Sequence, residues 1–342
     1  MRYHVAGPHR PVLFALLLLV STGLLCPAQD APQPQPAPGI QQKPQTLPAA
    51  PAPQTPAPAQ NPPAQTTPGQ PAPATSGQSA AAKNDHPVPI DAERHFHQGI
   101  AFEREGNSQN AISEYQAAIK IYPDYFEAHY NLGRLYLDHQ GYAEAITELK
   151  EAVRIKPDDA NAHNNLGLAL KHNRDLNGAI VEYQKAVMLN PKMANAQNNL
   201  ANVLYIRRDY NGAIQHYKAA LALQPNSAET HMNLGSVLDD SGRTDEAIVE
   251  YKEAIKLQPK NASAHYNLSI VYQKKKDMTS AIAELKLAAK YAPDWPTPHI
   301  MLTNLLKDSD PKAALDECVL ADGLTQDAKL HDQCQDLQKK AR

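Results

Sequence analysis

Six prolines, Pro123, Pro157, Pro191, Pro225, Pro259 and Pro293, follow one another at a constant step of 34 residues. A fixed period of about 20 to 50 residues marks stacked supersecondary units, so it excludes a closed domain built around one irregular core. Two alanine columns keep the same step. Ala111, Ala145, Ala179, Ala213, Ala247 and Ala281 each precede an isoleucine, and Ala118, Ala152, Ala186, Ala220, Ala254 and Ala288 follow seven residues later. An asparagine also recurs, at Asn131, Asn165, Asn199, Asn233 and Asn267, embedded in apolar stretches such as NNLGLAL at 164–170.

Each unit reads as two helices. His129, Leu132 and Tyr136 share one face of a helix of period 3.6, and Ala145, Leu149 and Ala152 do so in a second segment. Gly133, Gly167 and Gly235 fall inside the first helix, where glycine costs about 1 kcal/mol against alanine, so the partner helix is expected to approach closely there. Proline cannot continue a helix and biases the preceding residue out of the helical region, so every unit stops at one register. Leu-Gly or Leu-Ala in the first helix, Ala-Ile-x-x-Tyr/Leu-x-x-Ala in the second and a closing proline together resemble the tetratricopeptide repeat. The resemblance covers about two thirds of the chain. It implies an all-α fold, an α-solenoid of stacked helix-turn-helix hairpins, with units at 92–125, 126–159, 160–193, 194–227, 228–261 and 262–295 and an incomplete seventh at 296–322. In the seventh, Ala314 and Ala321 come one residue early, Cys318 replaces the usual tyrosine or leucine, and no proline closes the unit. The charged segment 325–342, with Leu330 and Leu337 at helical spacing, is expected to be a capping helix, because a terminal hairpin needs a cover with a polar outer face.

The first 89 residues are a different material. Val12–Leu25 is an apolar run preceded by Arg2 and Arg10 and followed by the small residues of Cys26-Pro27-Ala28, the pattern of a signal peptide over 1–28. Fourteen residues are short for a membrane span, which needs about 20, so an uncleaved anchor is the lesser reading. Leu25 stands where a lipoprotein motif requires a small residue, which argues against lipid on Cys26. An exported location, periplasmic or secreted, is therefore expected. Residues 29–89 carry seventeen prolines and only four charges, too little apolar bulk to fold, and read as a disordered linker.

Composition then limits function. Cleavage after residue 28 removes Arg2 and Arg10, taking the net charge from −3 to −5, whereas a nucleic-acid reader of this architecture is expected to be basic. Histidines 95, 129, 163, 231, 265 and 299 share a column, but it lies on the packing stripe three residues before a leucine, so they read as core or boundary residues and not as metal ligands. Glu114-Tyr115, Glu182-Tyr183 and Glu250-Tyr251 read as packing tyrosines beside solvated carboxylates. No phosphate loop, nucleophile elbow or metal cluster stands outside the period, so neither catalysis nor a cofactor is expected. The repeats resemble those of the O-linked N-acetylglucosamine transferase family, where a catalytic domain follows, but here only about twenty residues come after the seventh unit.

The expected function is a non-catalytic protein-protein interaction scaffold in the cell envelope. The alternative is an accessory or targeting subunit of an envelope enzyme complex such as a glycosyltransferase. The expected partner is a protein or peptide, without nucleic acid or small-molecule substrate, and with membrane attachment only through an uncleaved anchor or a lipid. The resemblance implies that the flank carrying Asn131, Asn165, Asn199, Asn233 and Asn267 faces a concave groove. There a carboxamide can serve peptide N–H and C=O groups at once, or it can bridge neighbouring helices; both readings stand. Tyr130, Asn164, Asn198, Arg134 and Asn202 occupy neighbouring columns suited to selecting a ligand, and since no lysine stands in these columns a receptor for a carboxylate terminus is not expected. Cys318 and Cys334 are the only cysteines left after cleavage and are candidates for a disulfide, against two free thiols.

Overall fold

The computed structural model describes residues 87–325 and 327–340. The expected signal peptide and all but the last three residues of the expected linker lie outside the described residues. Among those described, the chain forms fifteen α-helices and no strand: α1 (Ile90–Arg104), α2 (Ser108–Ile121), α3 (Phe126–Asp138), α4 (Tyr142–Ile155), α5 (Ala160–His172), α6 (Leu176–Leu189), α7 (Ala194–Ile206), α8 (Tyr210–Leu223), α9 (Ala228–Asp240), α10 (Thr244–Leu257), α11 (Ala262–Lys274), α12 (Met278–Tyr291), α13 (Pro296–Leu306), α14 (Pro311–Thr325) and α15 (Ala328–Lys340). Consecutive helices pack in pairs, and each pair packs on the next, which is an all-α helical repeat fold. The first helix begins at Ile90, two residues ahead of the expected first unit, and Thr325 closes α14 instead of opening the cap.

Local chemistry sets the boundaries. Asn107, Asp159, Asp175, Asp209, Ser227, Asn261 and Asp277 each accept a hydrogen bond from the backbone N–H three residues on, which satisfies a donor that the helix leaves orphaned. At the other end, Tyr122, Lys156, Asn190, Gln224, Gln258 and Ala292, each preceding a periodic proline, are extended with φ from −125° to −136°. Inside each complete hairpin the chain reverses through one left-handed residue: Gly106, Gln140, Arg174, Arg208, Gly242 and Lys276 have φ of 61° to 82°. The next N–H returns to the helix, as Gly141 N–H to the Tyr136 carbonyl at 2.8 Å and Asp175 N–H to that of Leu170 at 2.9 Å. Only two of the six turns use glycine, so the closing hydrogen bonds offset the backbone cost at the other four.

Packing explains the glycine and alanine columns. A Cβ on Gly167 would lie 2.8 Å from the Tyr183 ring, and one on Gly133 would lie 2.6 Å from Leu149 Cγ. The large side chain of the second helix therefore occupies the space a first-helix Cβ would fill. Tyr115, Leu149, Tyr183, Tyr217, Tyr251, Leu285 and Cys318 hold this one position in successive hairpins, all at most 2% exposed. Burying such a side chain stabilises by about 1.5 to 3 kcal/mol.

The histidine column does more than pack. His129, His163, His231, His265 and His299 place Nδ1 2.6 to 2.7 Å from Glu148, Glu182, Glu250, Glu284 and Glu317 of the second helix. Their Nε2 atoms lie 2.9 to 3.1 Å from the carbonyls of Pro123, Pro157, Pro225, Pro259 and Pro293, which end the preceding units. His95 meets Glu114 in the same way at Nδ1. The carboxylates read from sequence as solvated are thus bonded partners, and Glu182 is 14% exposed. The spacing is nineteen residues in the regular units and eighteen in the last, so the single-residue shortening of the seventh unit is absorbed without loss of the contact.

At the C-terminus, Leu330, Cys334 and Leu337 of α15 fall at i, i+4 and i+7 and close over Leu302, Leu306, Ala314, Cys318 and Ala321. A disulfide joins Cys318 of α14 to Cys334 of α15, with Cα atoms 5.6 Å apart.

Candidate peptide groove

The first helices of the hairpins meet one another as well as their partners: α3 touches α5, α5 touches α7, α7 touches α9 and α9 touches α11. They form one shared face, which carries every residue named above as a candidate contact. The asparagines of its recurrent column are half-buried, and three of them already bond side chains of the preceding unit. Asn165 Nδ2 donates to the Tyr130 hydroxyl at 3.2 Å, Asn199 Nδ2 to Asn164 Oδ1 at 3.1 Å, and Asn233 Nδ2 to Asn202 Oδ1 at 3.5 Å. Each of these crosses from one unit to the one before. Asn131 bonds the Tyr115 hydroxyl beneath it. The N–H half of the ladder therefore ties the stack together.

The other half is open. Asn199 and Asn233 keep Oδ1, and Asn202, whose Oδ1 accepts from the Tyr217 hydroxyl, keeps Nδ2. Asn198 accepts from Thr230 and keeps its Nδ2, while Asn267 makes no side-chain hydrogen bond among the described residues. Asn164 is 6% exposed and donates to Asn165, so it belongs to the wall more than to the surface. Donors and acceptors thus alternate over α7, α9 and α11.

The α1–α3 end is chemically closed. Arg134 pairs with Glu103 and, at 3.3 Å, with Asp138, and the Tyr115 hydroxyl donates to Glu103 at 2.8 Å. Burial works against the Arg134 charge, but Glu103 more than compensates and holds the guanidinium protonated above its ordinary range. Tyr130 stacks on Phe126 at 5.8 Å and accepts from Asn165, so its ring edge and its hydroxyl proton are what remain to offer. Burial raises its hydroxyl above the usual tyrosine value.

One column on this face escaped the sequence reading: Glu103, Leu137, Lys171, Tyr205, Asp239 and Gln273. It lies three residues beyond the column of Arg134 and Asn202, on the same helical face, and that spacing was the available signal. Tyr205 donates to Asp240 at 2.7 Å, and Lys274 meets Asp239 at 2.6 Å. Burial pulls the Lys171 amine below its ordinary value, with Glu229 acting against it. The tyrosines beneath this face differ in one respect. The hydroxyls of Tyr115, Tyr217 and Tyr251 reach Glu103, Asn202 and Ser236, whereas the buried Tyr183 hydroxyl has no partner among the described residues, and burial drives it far above the normal range. Its counterpart of Asn202 is Leu168, which offers no acceptor.

Family models agree with this geometry. A model described as TPR repeat matches residues 99–140, 133–173, 201–240 and 235–276, and models described as Tetratricopeptide repeat match 160–193 and 262–294, together more than half of the chain. The chain is a tetratricopeptide repeat protein. The solved structures similar to this repeat protein include a tetratricopeptide repeat protein from Parabacteroides merdae ATCC 43184, 14% identical with a TM-score of 0.55 over 73% of this chain and 99% of that one. Pseudomonas aeruginosa pilF is 22% identical with a TM-score of 0.53 over 63% and 97%. YrrB, described as a TPR protein with an unusual peptide-binding site, is 21% identical with a TM-score of 0.48 over 54% and 95%. These likenesses concern the fold. No curated protein matched the sequence. Among the described residues no group of three or more His, Cys, Asp or Glu side chains could hold a metal ion, and no helix is long and apolar enough to cross a membrane.

Proposed function

We propose that this repeat array is a non-catalytic protein-interaction scaffold that takes an extended peptide, or an extended segment of a partner protein, along the shared face of α7, α9 and α11. The observation that carries the reading is the alternation of unbonded carboxamide groups there: Asn198 and Asn202 as donors, Asn199 and Asn233 as acceptors, Asn267 as both. An extended backbone presents a donor and an acceptor at every residue, so such a row matches backbone more closely than it matches any one side chain. Membership of the tetratricopeptide family supports a protein partner. The chain would act outside the cytoplasm, carried by the apolar segment at 12–25, and the disulfide at the array's end supports an oxidising compartment. A scaffold of this kind serves equally as the accessory subunit of an envelope enzyme complex, and the groove is the same in both cases.

The test combines substitution with cross-linking. Asn267→Ala removes a carboxamide that makes no side-chain hydrogen bond among the described residues, so the melting temperature should hold while partner binding weakens by up to about tenfold, at about 0.5 to 1.5 kcal/mol for each lost hydrogen bond. A photo-cross-linker at Asn267 should label a polypeptide, and one at the exposed Val181 of α6 should not. Labelling from Val181 alone would place the partner on the opposite surface and overturn the reading.

A further inference from the structure

Five histidines sit between two oxygen acceptors, and the proton count of that arrangement is informative. A carbonyl oxygen cannot donate, so Nε2 of His129, His163, His231, His265 and His299 must carry the proton that bonds the proline carbonyl. A neutral ring would then turn the lone pair of Nδ1 toward a carboxylate oxygen 2.6 to 2.7 Å away, acceptor against acceptor. The contact closes when one more proton is present, as an imidazolium against a carboxylate.

The fourth unit shows the same connection without that proton. Its first-helix residue is Gln197, whose Nε2 donates to the Pro191 carbonyl at 3.3 Å and whose Oε1 lies 2.7 Å from Nδ1 of His216. A neutral His216 with its proton on Nδ1 completes this bond. Burial lowers the His216 imidazole below its ordinary value, which favours that neutral form. The chain thus carries five clasps that need a proton and one, with donor and acceptor exchanged, that does not.

We propose that the five His–Glu clasps make the array a proton-linked structure, in which each of these five hairpins is held on the end of the preceding unit by a bound proton and loosens as that proton is lost at higher pH. The charged and aromatic groups around the clasps differ from unit to unit. Glu151 joins Glu148 near His129; Lys185 acts against His163, and Lys150 and Arg154 of α4 line the same surface hollow; the Tyr291 ring lies 5.5 Å from His265; Glu250 and Glu317 face His231 and His299. Burial pulls His129 and His163 down, yet the hydrogen bonds the rings donate to their glutamates and proline carbonyls leave both above the ordinary histidine value. A histidine raised in the folded state contributes stability that is fully present below its unfolded value, about 6.5, and is lost as the pH climbs through the folded value. Glu182 works at the other limit. Burial raises it, but His163 and Lys185 bring it below the ordinary carboxylate value, so its share is present above about 4.3 and is lost as the pH falls through the depressed value. The array should be most stable between those limits.

The test is thermal melting of the full chain, disulfide intact, from pH 6 to pH 9. The native protein should lose about 5 °C or more over that range, at about 2 to 4 °C for each kcal/mol in a domain of this size. A variant carrying the fourth unit's arrangement in three others (His129→Gln with Glu148→His, His163→Gln with Glu182→His, His265→Gln with Glu284→His) should lose less than half as much. A flat native profile, or an equal loss in the exchanged variant, would overturn the proposal. Should that variant fail to fold, nitrogen NMR of the native rings decides: protons on both ring nitrogens of His129 and His163 at pH 6.5 support it, and neutral rings there with apparent values at or below about 6.5 reject it.

Discussion

The hairpins α5–α6 and α7–α8, in the middle of the array, and the hairpin α13–α14 at its end meet the same requirement by different means. An interior hairpin has a neighbour on each side, and its contacts are many and non-covalent: Asn199 to Asn164, His163 to Pro157, Tyr183 over Gly167. The terminal hairpin has a neighbouring hairpin on one side and a single helix, α15, on the other, with a disulfide where the others place tyrosine or leucine. In a one-dimensional stack, stability is the sum of unit and nearest-neighbour contributions. A unit flanked twice therefore tolerates local imperfection, such as the unpaired Tyr183 hydroxyl or the left-handed Arg174, while a unit flanked once gains most from a covalent link.

Three measurements would break or sharpen this comparison. The largest effect is expected at the end. Cys318→Ala with Cys334→Ala opens a loop of 16 residues, for which the chain-entropy account gives about 3 kcal/mol, and hydrogen exchange of α15 should accelerate by about a hundredfold while α5 to α8 keep their protection. Unchanged protection in α15 would show that Leu330 and Leu337 alone hold the cap. Next in size, Gly167→Val drives a branched side chain into the Tyr183 ring and should cost about 2 kcal/mol. At Gly323 of α14 an added Cβ meets nothing within 4 Å, so Gly323→Ala should gain up to about 1 kcal/mol. Equal responses to denaturant at the two glycines would mean that the middle is no more tightly packed than the end. The smallest effect is a gain: Tyr183→Phe removes a buried hydroxyl that has no partner among the described residues and should stabilise by about 1 kcal/mol, whereas Tyr217→Phe takes from Asn202 Oδ1 the closer of its two donors and should cost about as much. A loss at Tyr183 would reveal a bonded partner there.

Much of the fold was legible because its signals are local. The 34-residue proline step, the alanine columns and the mid-helix glycines place fourteen helices, since a residue's φ/ψ preference and its helical face depend on near neighbours. The groove was legible in part. The asparagine column pointed to the right face, but its two possible duties, toward a ligand or toward the next unit, have the same spacing in sequence. In the structure the amide nitrogens of Asn165, Asn199 and Asn233 bond across the stack and the oxygens of the latter two remain open, a division that depends on carboxamide orientation. Arg134 read as a selecting residue, yet Glu103, 31 residues earlier, holds it.

The sequence by itself determined the repeat, the helix ends and the two-helix unit, because proline geometry, capping and a period of 3.6 act over a few residues. Only the tertiary structure decided which polar side chains face each other. His163 and Glu182 each looked ordinary alone, one a boundary residue and one a surface acid. Their meeting at 2.6 Å, with Pro157 behind the ring, exists because two helices and the turn before them converge on one point, and no window shorter than the hairpin contains all three.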